Sequence, residues 1–505
     1  MALGRTWAVA LTGITGRLVE VEADVGRGLP GVSIVGMPDS AVMQSRERMR
    51  AAAANSGLAW PTGKVVLSLS PASLRKFGAG FDLALAAGAL TASGELPAAG
   101  FEGTVLLGEL ALDGRVRPVA GVLPAILAAR EAGLARAIVP VENLAEARLV
   151  AGIDTAGVGS LRMLADWSRG LGDLVAHAPP AGGGGDDDAH DLAEVHGQED
   201  CRRSVEVAAA GGHALLLRGA PGTGKTMLAR RLPGLLPDLA ANEALEATAI
   251  HSVFGRLPPD DPLLRRPPFV APHHTATAAA LVGGGTGTAR PGAATLAHRG
   301  VLFLDECAEF PGRVLDALRT PLEEGEVRVA RRDGVAVFPA RFQLVLAAND
   351  CPCGSPRPAD CDCSPDERRR YGRSLTGPLR DRVDISARTL PIGPSLLAVG
   401  EAEDSATVRA RVASAREAAA ARWAGCAEAS GARTNASVPG RVLRTGFRLD
   451  RGALRPLDRA LAAGVLSPRG VDRCLRLAWT IADLAGEPAP TGDHVAEALV
   501  LRGED

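Results

Sequence analysis

Residues 213–232 read "HALLLRGAPGTGKTMLARRL". An apolar run, a glycine loop and an amphipathic stretch follow one another, the pattern of a buried strand turning into a helix. Gly219, Gly224, Lys225 and Thr226 fit G-x-x-x-x-G-K-[ST], with Ala220, Pro221, Gly222 and Thr223 between them. Glycines let successive backbone N–H groups curl around phosphate oxygens, and the helix N-terminus adds partial positive charge. In such a loop the lysine reaches the terminal phosphates and the threonine hydroxyl serves Mg²⁺. A compact ammonium suits that pocket better than a planar guanidinium. Of the 56 Lys and Arg residues only Lys64, Lys76 and Lys225 are lysines, so the choice at 225 carries information.

Two later apolar runs extend the pattern. "GVLFLDECAEF", residues 300–310, reads as a strand ending in two acids. After a phosphate loop, Asp305 is expected to hold Mg²⁺ through water and Glu306 to polarise an attacking water. "FQLVLAAND", residues 342–350, is a third strand, and Asn349 either orients that water or only caps the strand.

Directly behind it, "CPCGSPRPADCDC" places Cys351, Cys353, Cys361 and Cys363 in two C-x-C pairs. Four thiolates complete a closed tetrahedral site of the structural zinc kind, with no ligand position left for water. Pro and Gly between the pairs let the chain double back; free thiols are the competing reading. The other cysteines (Cys201, Cys307, Cys426 and Cys474) are scattered, unlike a secreted disulfide framework.

A chain of 505 residues suggests about three or four domains. The net charge of −2 gives no global field for nucleic acid, so any polyanion binding must come from local patches. No apolar run approaches the ~18 residues of a membrane span. The opening "MALGRTWAVALTGITGRLVEVEADV" alternates like strands and lacks the pattern of a signal peptide, which implies a soluble cytoplasmic protein.

Residues 1–172 form an Ala/Gly-rich unit with strand signals and helices between them. "HAPPAGGGGDDDAHD" has no apolar periodicity, so 173–190 is expected to be a flexible linker. Residues 191–393 hold the phosphate loop, and 394–505 show helical periodicity. Within the central part "EGEVRVARRDGVAVFPARF" reads as a hairpin turning at Asp333-Gly334.

The phosphate loop, the Asp-Glu strand end and the Asn strand end together resemble an AAA+ ATPase. "VHGQEDCRRSVEVAAAGGHALLLRGAPGTGKTMLARRLPGLLP", "APHHTATAAALVGGG", "LAHRGVLFLDE", "LRTPLEEGEVRVAR" and "GPLRDRVDI" resemble the magnesium-chelatase-like ATPases, within them the competence-associated ComM/YifB family. That resemblance runs from about Trp7 to the C-terminus. It implies a multidomain α/β protein with a central AAA+ P-loop domain and a C-terminal helical lid. It also implies a ring, a homohexamer, with each ATP site at a subunit boundary. In that picture Arg382 is the arginine finger for a neighbour's ATP and Arg469, in "LSPRGVDRCLRLAWTIADLAG", is the sensor-2 arginine of the lid. In a chain this rich in arginine, surface salt bridges are the alternative for both. Two positions depart from the family pattern: Asp350 replaces a proline and Arg380 an apolar residue.

Residues near Pro272 to Gly287 resemble the helix-2 insert of this branch, and the 324–342 hairpin resembles the one that points toward the pore. Arg328, Arg331 and Arg332 would then face a phosphate backbone, or else form a solvated charged hairpin. The arginines of "RRRYGRSLTGPLRDR" are a DNA contact or a subunit boundary. "SPASLRKFGAGFDLALAAGAL" and "GELALDGRVRPVAGVLPAILAAREAGLARAIVPVENL" are similar to the α+β proteolytic domain of Lon-type proteases. The Ser-Lys dyad of that activity would fall at about Gly80 and Ala125, so no peptidase activity is expected.

The function implied is an ATP-hydrolysing motor acting on DNA, with helicase or branch-migration activity in recombination or natural transformation. Its cofactors are ATP, Mg²⁺ and structural Zn²⁺. A magnesium-chelatase motor subunit and a protein-remodelling ATPase are the rivals; the first would not explain the N-terminal unit or the cysteine loop.

Overall fold

The computed structural model describes residues 3–177, 190–258, 260–284, 290–331, 334–355, 360–376, 379, 382–391, 402–429 and 431–503. The first sheet begins with β1 (Gly4–Thr12) and β2 (Thr15–Gly26), paired antiparallel from Gly4↔Ala23 to Thr12↔Thr15. Gly13, at φ +65°, makes the two-residue turn possible. Alternate residues of β2, Val19, Val21 and Ala23, are buried, as a half-covered strand requires. β3 (Gly31–Val35), β4 (Lys64–Ser70) and β5 (Thr104–Leu106) follow, then a small hairpin of β6 (Glu109–Leu110) and β7 (Val116–Arg117). With β8 (Arg136–Pro140) and β9 (Asp154–Val158) the main sheet has seven strands in the order β3-β4-β2-β1-β5-β8-β9. The Asp82–Ala92 helix is buried on every side against this sheet. Its Ala-rich sequence permits that close approach.

The second sheet is the one that carries the phosphate loop. β10 (Leu215–Arg218), β11 (Phe269–Val270) and β12 (Val301–Leu304) are joined, after the hairpin of β13 (Glu326–Arg331) and β14 (Gly334–Pro339), by β15 (Gln343–Ala348) and β16 (Ile385–Arg388). Their order is β11-β12-β15-β10-β16, and every pairing is parallel. β12 and β15 are buried at every position, the continuous apolar pattern of a parallel sheet covered on both faces.

The C-terminal helices pack against the second sheet's helices and strands. Val412 and Trp423 on the Ser405–Ala424 helix and Leu477 and Trp479 on the Pro468–Ala485 helix share one hydrophobic cluster with Val205, Leu215 and Leu228. Trp423, Trp479 and Phe447 meet edge to face within 4.8–6.0 Å. Asp384, at the start of β16, fastens this region to the sheet. Its carboxylate accepts from Ala214 N at 3.1 Å and Arg473 Nη1 at 2.9 Å.

The N-terminal unit also docks on the body that carries the second sheet. Gly121 N donates to Ser252 O at 3.0 Å, and Leu245 and Ala249 of the Ala241–Val253 helix pack with Val122, Leu123 and Ile126. Buried Glu146 accepts from Leu123 N (2.7 Å), Asn143 Nδ2 (3.3 Å) and Ser252 Oγ. Ile14, in the β1–β2 turn, packs on the cluster that includes Val327 and Phe338 of the hairpin. The segment expected to be a linker starts within this unit, because Val175 bridges Gly157. Residues 178–189 of it lie outside the described residues.

Candidate active site

β10 ends at Arg218, and residues 219–224 turn over the C-terminal edge of the sheet into the Lys225–Leu235 helix. Gly219 is obligatory there: at φ +154° a Cβ would stand 2.2 Å from Thr389 Oγ1. Lys225 is buried, and its Nζ donates to Gly219 O (2.8 Å), Ala220 O (2.8 Å) and Asn349 Oδ1 (3.0 Å). Burial pushes this ammonium below its ordinary value, opposed by Asp305, Asp350 and Glu306. Asn349 thus turns its amide to the loop lysine and does more than cap β15. Tyr371, the single tyrosine of the chain, meets the backbone of Asn349, and burial pushes its hydroxyl up to about 12.

Asp305 and Glu306 emerge at the same edge. Thr226 Oγ1 donates to Asp305 Oδ2 at 2.7 Å, and Glu306 N donates to Asp305 Oδ1 at 2.9 Å. A hydroxyl and carboxylates are the hard oxygen donors that Mg²⁺ prefers, so this set fits that ion. Glu306 has φ +50°, a left-handed conformation costing on the order of 1–3 kcal/mol for a residue with a Cβ. Its Oε2 lies 3.1 Å from His274 Nδ1. His274 follows β11, the neighbour of β12 in the sheet, and its ring stands 4.1 Å from that of His273. Sequence reading passed over this histidine; the signal was the His-His pair inside "APHHTATAAALVGGG".

Arg382 and Arg469 are not part of this cluster. β16 runs parallel to β10, with Arg388 beside Arg218, so Arg382 precedes β16 at the opposite edge of the sheet. A four-residue strand spans about 13 Å, which separates Arg382 from its own phosphate loop. Arg382 pairs with Glu323, and Arg382, with Arg319 and Arg469, holds the Glu323 carboxyl below its usual range. Arg469 lies one turn before Arg473, which donates to Val383 O at 3.0 Å. A cavity of about 480 Å³ opens there, lined by Ser467, Pro468, Arg469, Gly470, Arg473 and Arg502. Arg469 thus shares an edge with Arg382.

In the hairpin the exposed Arg328 pairs with Glu326 at 2.6 Å and Glu324 at 3.5 Å. The side chain of Arg331 and the whole of Arg332, like Arg380, lie outside the described residues. Asp350 bonds Arg388 at 3.2 Å and lies 3.8 Å from Arg218, tying the ends of β10 and β16.

The four cysteines of the loop after β15 come together with all sulfurs within 4.8 Å of one another. Cys351 and Cys353 lie 2.9 Å apart, and Cys361 stands 3.5 Å from Cys351 and 3.6 Å from Cys353. Tetrahedral zinc at about 2.3 Å from each sulfur needs sulfurs about 3.8 Å apart, so small adjustments make this set fit.

A phosphate loop, an Asp-Glu strand end and an Asn strand end on one edge of a parallel sheet, followed by a helical C-terminal region, define an AAA+ ATPase. Family models agree: magnesium chelatase subunit ChlI matches residues 191–394, subunit ChlI of Mg-chelatase matches 21–143, and the ChlI C-terminal region matches 402–502. The chain is 38% identical to competence protein ComM of Haemophilus influenzae, over 99% of this chain and 98% of that protein. It is 38% identical to the uncharacterized protein YifB of Escherichia coli over 100% of this chain and 98% of YifB. An uncharacterized protein of Mycobacterium tuberculosis is 56% identical over 99% of both chains. The chain belongs to the magnesium-chelatase-like ComM/YifB family. Because a ChlI model also matches 21–143, the N-terminal unit does not by itself separate a chelatase motor from the alternatives. Among the described residues no helix is long and apolar enough to cross a membrane.

Proposed function

We propose that this protein is a cytoplasmic ATP-driven motor acting on DNA as a homohexameric ring, with helicase or branch-migration activity in recombination or natural transformation. The observation that carries the reading is the division of the sheet. Lys225, Thr226, Asp305, Glu306 and Asn349 occupy one edge, and Arg382 and Arg469 the other. Guanidiniums on the far edge serve only the pocket of a neighbouring protomer, which ties hydrolysis to assembly. The DNA substrate rests on the similarity to competence protein ComM and on the exposed Arg368, Arg369 and Arg370.

In this reading the backbone of Gly219, Ala220, Pro221, Gly222, Thr223 and Gly224 cradles the phosphates and Lys225 binds the terminal ones. Thr226 and Asp305 hold Mg²⁺, which when bound neutralises charge developing on the transferred phosphoryl group. Glu306 accepts a proton from the attacking water, and Asn349 orients that water. Arg382 and Arg469 of the adjoining protomer spread the charge of the transition state. Cys351, Cys353, Cys361 and Cys363 hold a structural zinc. Residues 1–172 are a Lon-type fold without its dyad, since Gly80 and Ala125 offer neither nucleophile nor base, and they serve ring assembly or substrate contact.

The test is ATP turnover by the purified protein, alone and with forked DNA, with Glu306→Gln alongside. Forked DNA is expected to raise turnover severalfold in the parent and not in the variant. Stimulation by a porphyrin with partner subunits, or by an unfolded polypeptide but not by DNA, would replace this substrate with a rival one.

A further inference from the structure

The cysteine loop and the phosphate loop touch. Gly354, between the two C-x-C pairs, has φ +64°, and a Cβ placed on it would stand 2.9 Å from Pro221 Cγ and 3.7 Å from Cδ. Pro221 is the crest of the phosphate loop. Gly219, Gly222 and Gly224 around it have φ of +154°, +76° and +89°, conformations that favour glycine. On its inner side the loop is held by Thr223 Oγ1, which meets Ala220 O at 2.7 Å and Thr389 Oγ1 at 2.6 Å. On its outer side it rests on Gly354. Between the two loops lies a cavity of about 430 Å³ whose walls include Ala220, Cys351, Cys361, Arg388 and Leu390.

Among the described residues of the cysteine loop, Gly354 N bonds back to Cys351 O at 3.2 Å, Arg368 Nε bonds Cys363 O at 3.1 Å, and the Ser355 backbone meets the Cys351 and Cys353 thiols. Cys351 is buried, Cys353 is exposed, and Cys361 and Cys363 are half-buried. Four sulfurs within 4.8 Å would supply the closure once a soft divalent cation joins them. Ligation releases the thiol protons to solvent and leaves a net dianionic centre, faced by Arg368 and Arg388 across the cavity.

We propose that metal bound by Cys351, Cys353, Cys361 and Cys363 sets the affinity of the ATP site, by holding Gly354 as the backstop against which Pro221 and the phosphate loop are shaped. The inference rests on the nucleotide reading of that loop and adds a control to it: metal occupancy regulates nucleotide binding without any cysteine touching the nucleotide. With the metal gone, Gly354 recedes, the glycine-rich crest gains freedom, and its N–H groups no longer converge.

The experiment uses the full chain and two readouts, zinc per chain and the dissociation constant for a fluorescent ATP analogue with Mg²⁺. The purified protein should carry one zinc. Stripping it with an organomercurial and a chelator should weaken nucleotide binding about tenfold, the loss of roughly one charge-assisted hydrogen bond. Re-adding Zn²⁺ after removal of the mercurial should restore it. Gly354→Ala keeps every thiol, so it should retain zinc yet show a similar loss, because its Cβ drives against Pro221. Lys225→Ala should keep zinc and lose the nucleotide; if it bound the analogue like the parent, the nucleotide reading itself would fall. A zinc-free protein whose four loop thiols alkylate as readily as Cys426 would overturn the metal site. Unchanged nucleotide affinity after complete zinc removal would overturn the coupling.

Discussion

Lys225 shows why a single ammonium matters here. Two loop carbonyls and the Asn349 amide surround the buried Nζ at 2.8–3.0 Å, a setting for a compact ammonium rather than a larger planar guanidinium. Lys225→Arg is therefore expected to lose nucleotide affinity nearly as far as Lys225→Ala, about 30- to 150-fold, measured with a fluorescent ATP analogue. Glu306→Gln should behave differently. It keeps the nucleotide and slows turnover by about 10²- to 10⁴-fold, the usual weight of a general base. Lys76 follows the logic of Lys225 in a place without chemistry. It is fully buried and its Nζ caps Gly36 O, Leu69 O and Pro71 O at 2.8, 3.0 and 2.5 Å. Two of the chain's three lysines thus sit where a compact ammonium fits a ring of carbonyls, and composition alone pointed to only one of them.

At the scale of elements, Asp384 is the joint between β10, β16 and the Pro468–Ala485 helix. Burial alone would raise its carboxyl, but His213, Arg473 and the Ala214 N–H hold it down to about 2. A carboxyl depressed in the folded state contributes its full stability above the unfolded value of about 3.9. That contribution is lost as pH falls through the folded value. Asp384→Asn should cost about 3 kcal/mol at neutral pH, as a buried pair loses one charge. Below pH about 4 the stability difference from the parent should shrink. Urea unfolding followed from pH 7 to pH 3 reads both effects; a difference that stays constant with pH would reject the charge as the cause. Asp384 lies two residues after Arg382 and bonds Arg473, one turn beyond Arg469, so on the proposed role of those arginines the variant should lose turnover before it unfolds.

For the whole molecule, the proposed function makes the two edges of one sheet serve different protomers. On that reading a pocket on one edge and arginines on the other need a second protomer, so specific turnover should rise with protein concentration. Arg382→Ala and Glu306→Gln should each be nearly inactive. Mixed, they should recover activity, since the intact pocket of the first can receive the arginine of the second. Recovery measured over a range of mixing ratios tests this; no recovery at any ratio would mean that Arg382 serves its own pocket or none. The fused core matters here as well. Trp423 and Trp479 lie in the same cluster as Leu215 and Leu228, so the C-terminal helices share a core with the sheet.

The gathering of the pocket residues at one sheet edge was legible in the sequence, because they lie in contiguous stretches whose spacing is itself the geometry. A strand, a glycine turn and a helix put Gly219 to Thr226 in place by local backbone rules, and Asp305, Glu306 and Asn349 end strands whose apolar runs mark them. Local pattern said nothing of distance between segments far apart in the chain. Parallel pairing of β10 with β16 sent Arg382 to the far edge, and β11 beside β12 brought His274 to Glu306. Glu324 and Glu326 folded onto Arg328, and Gly354 came against Pro221. Each of these depends on side-chain packing across long separations, where burial and charge pairing outweigh local propensity.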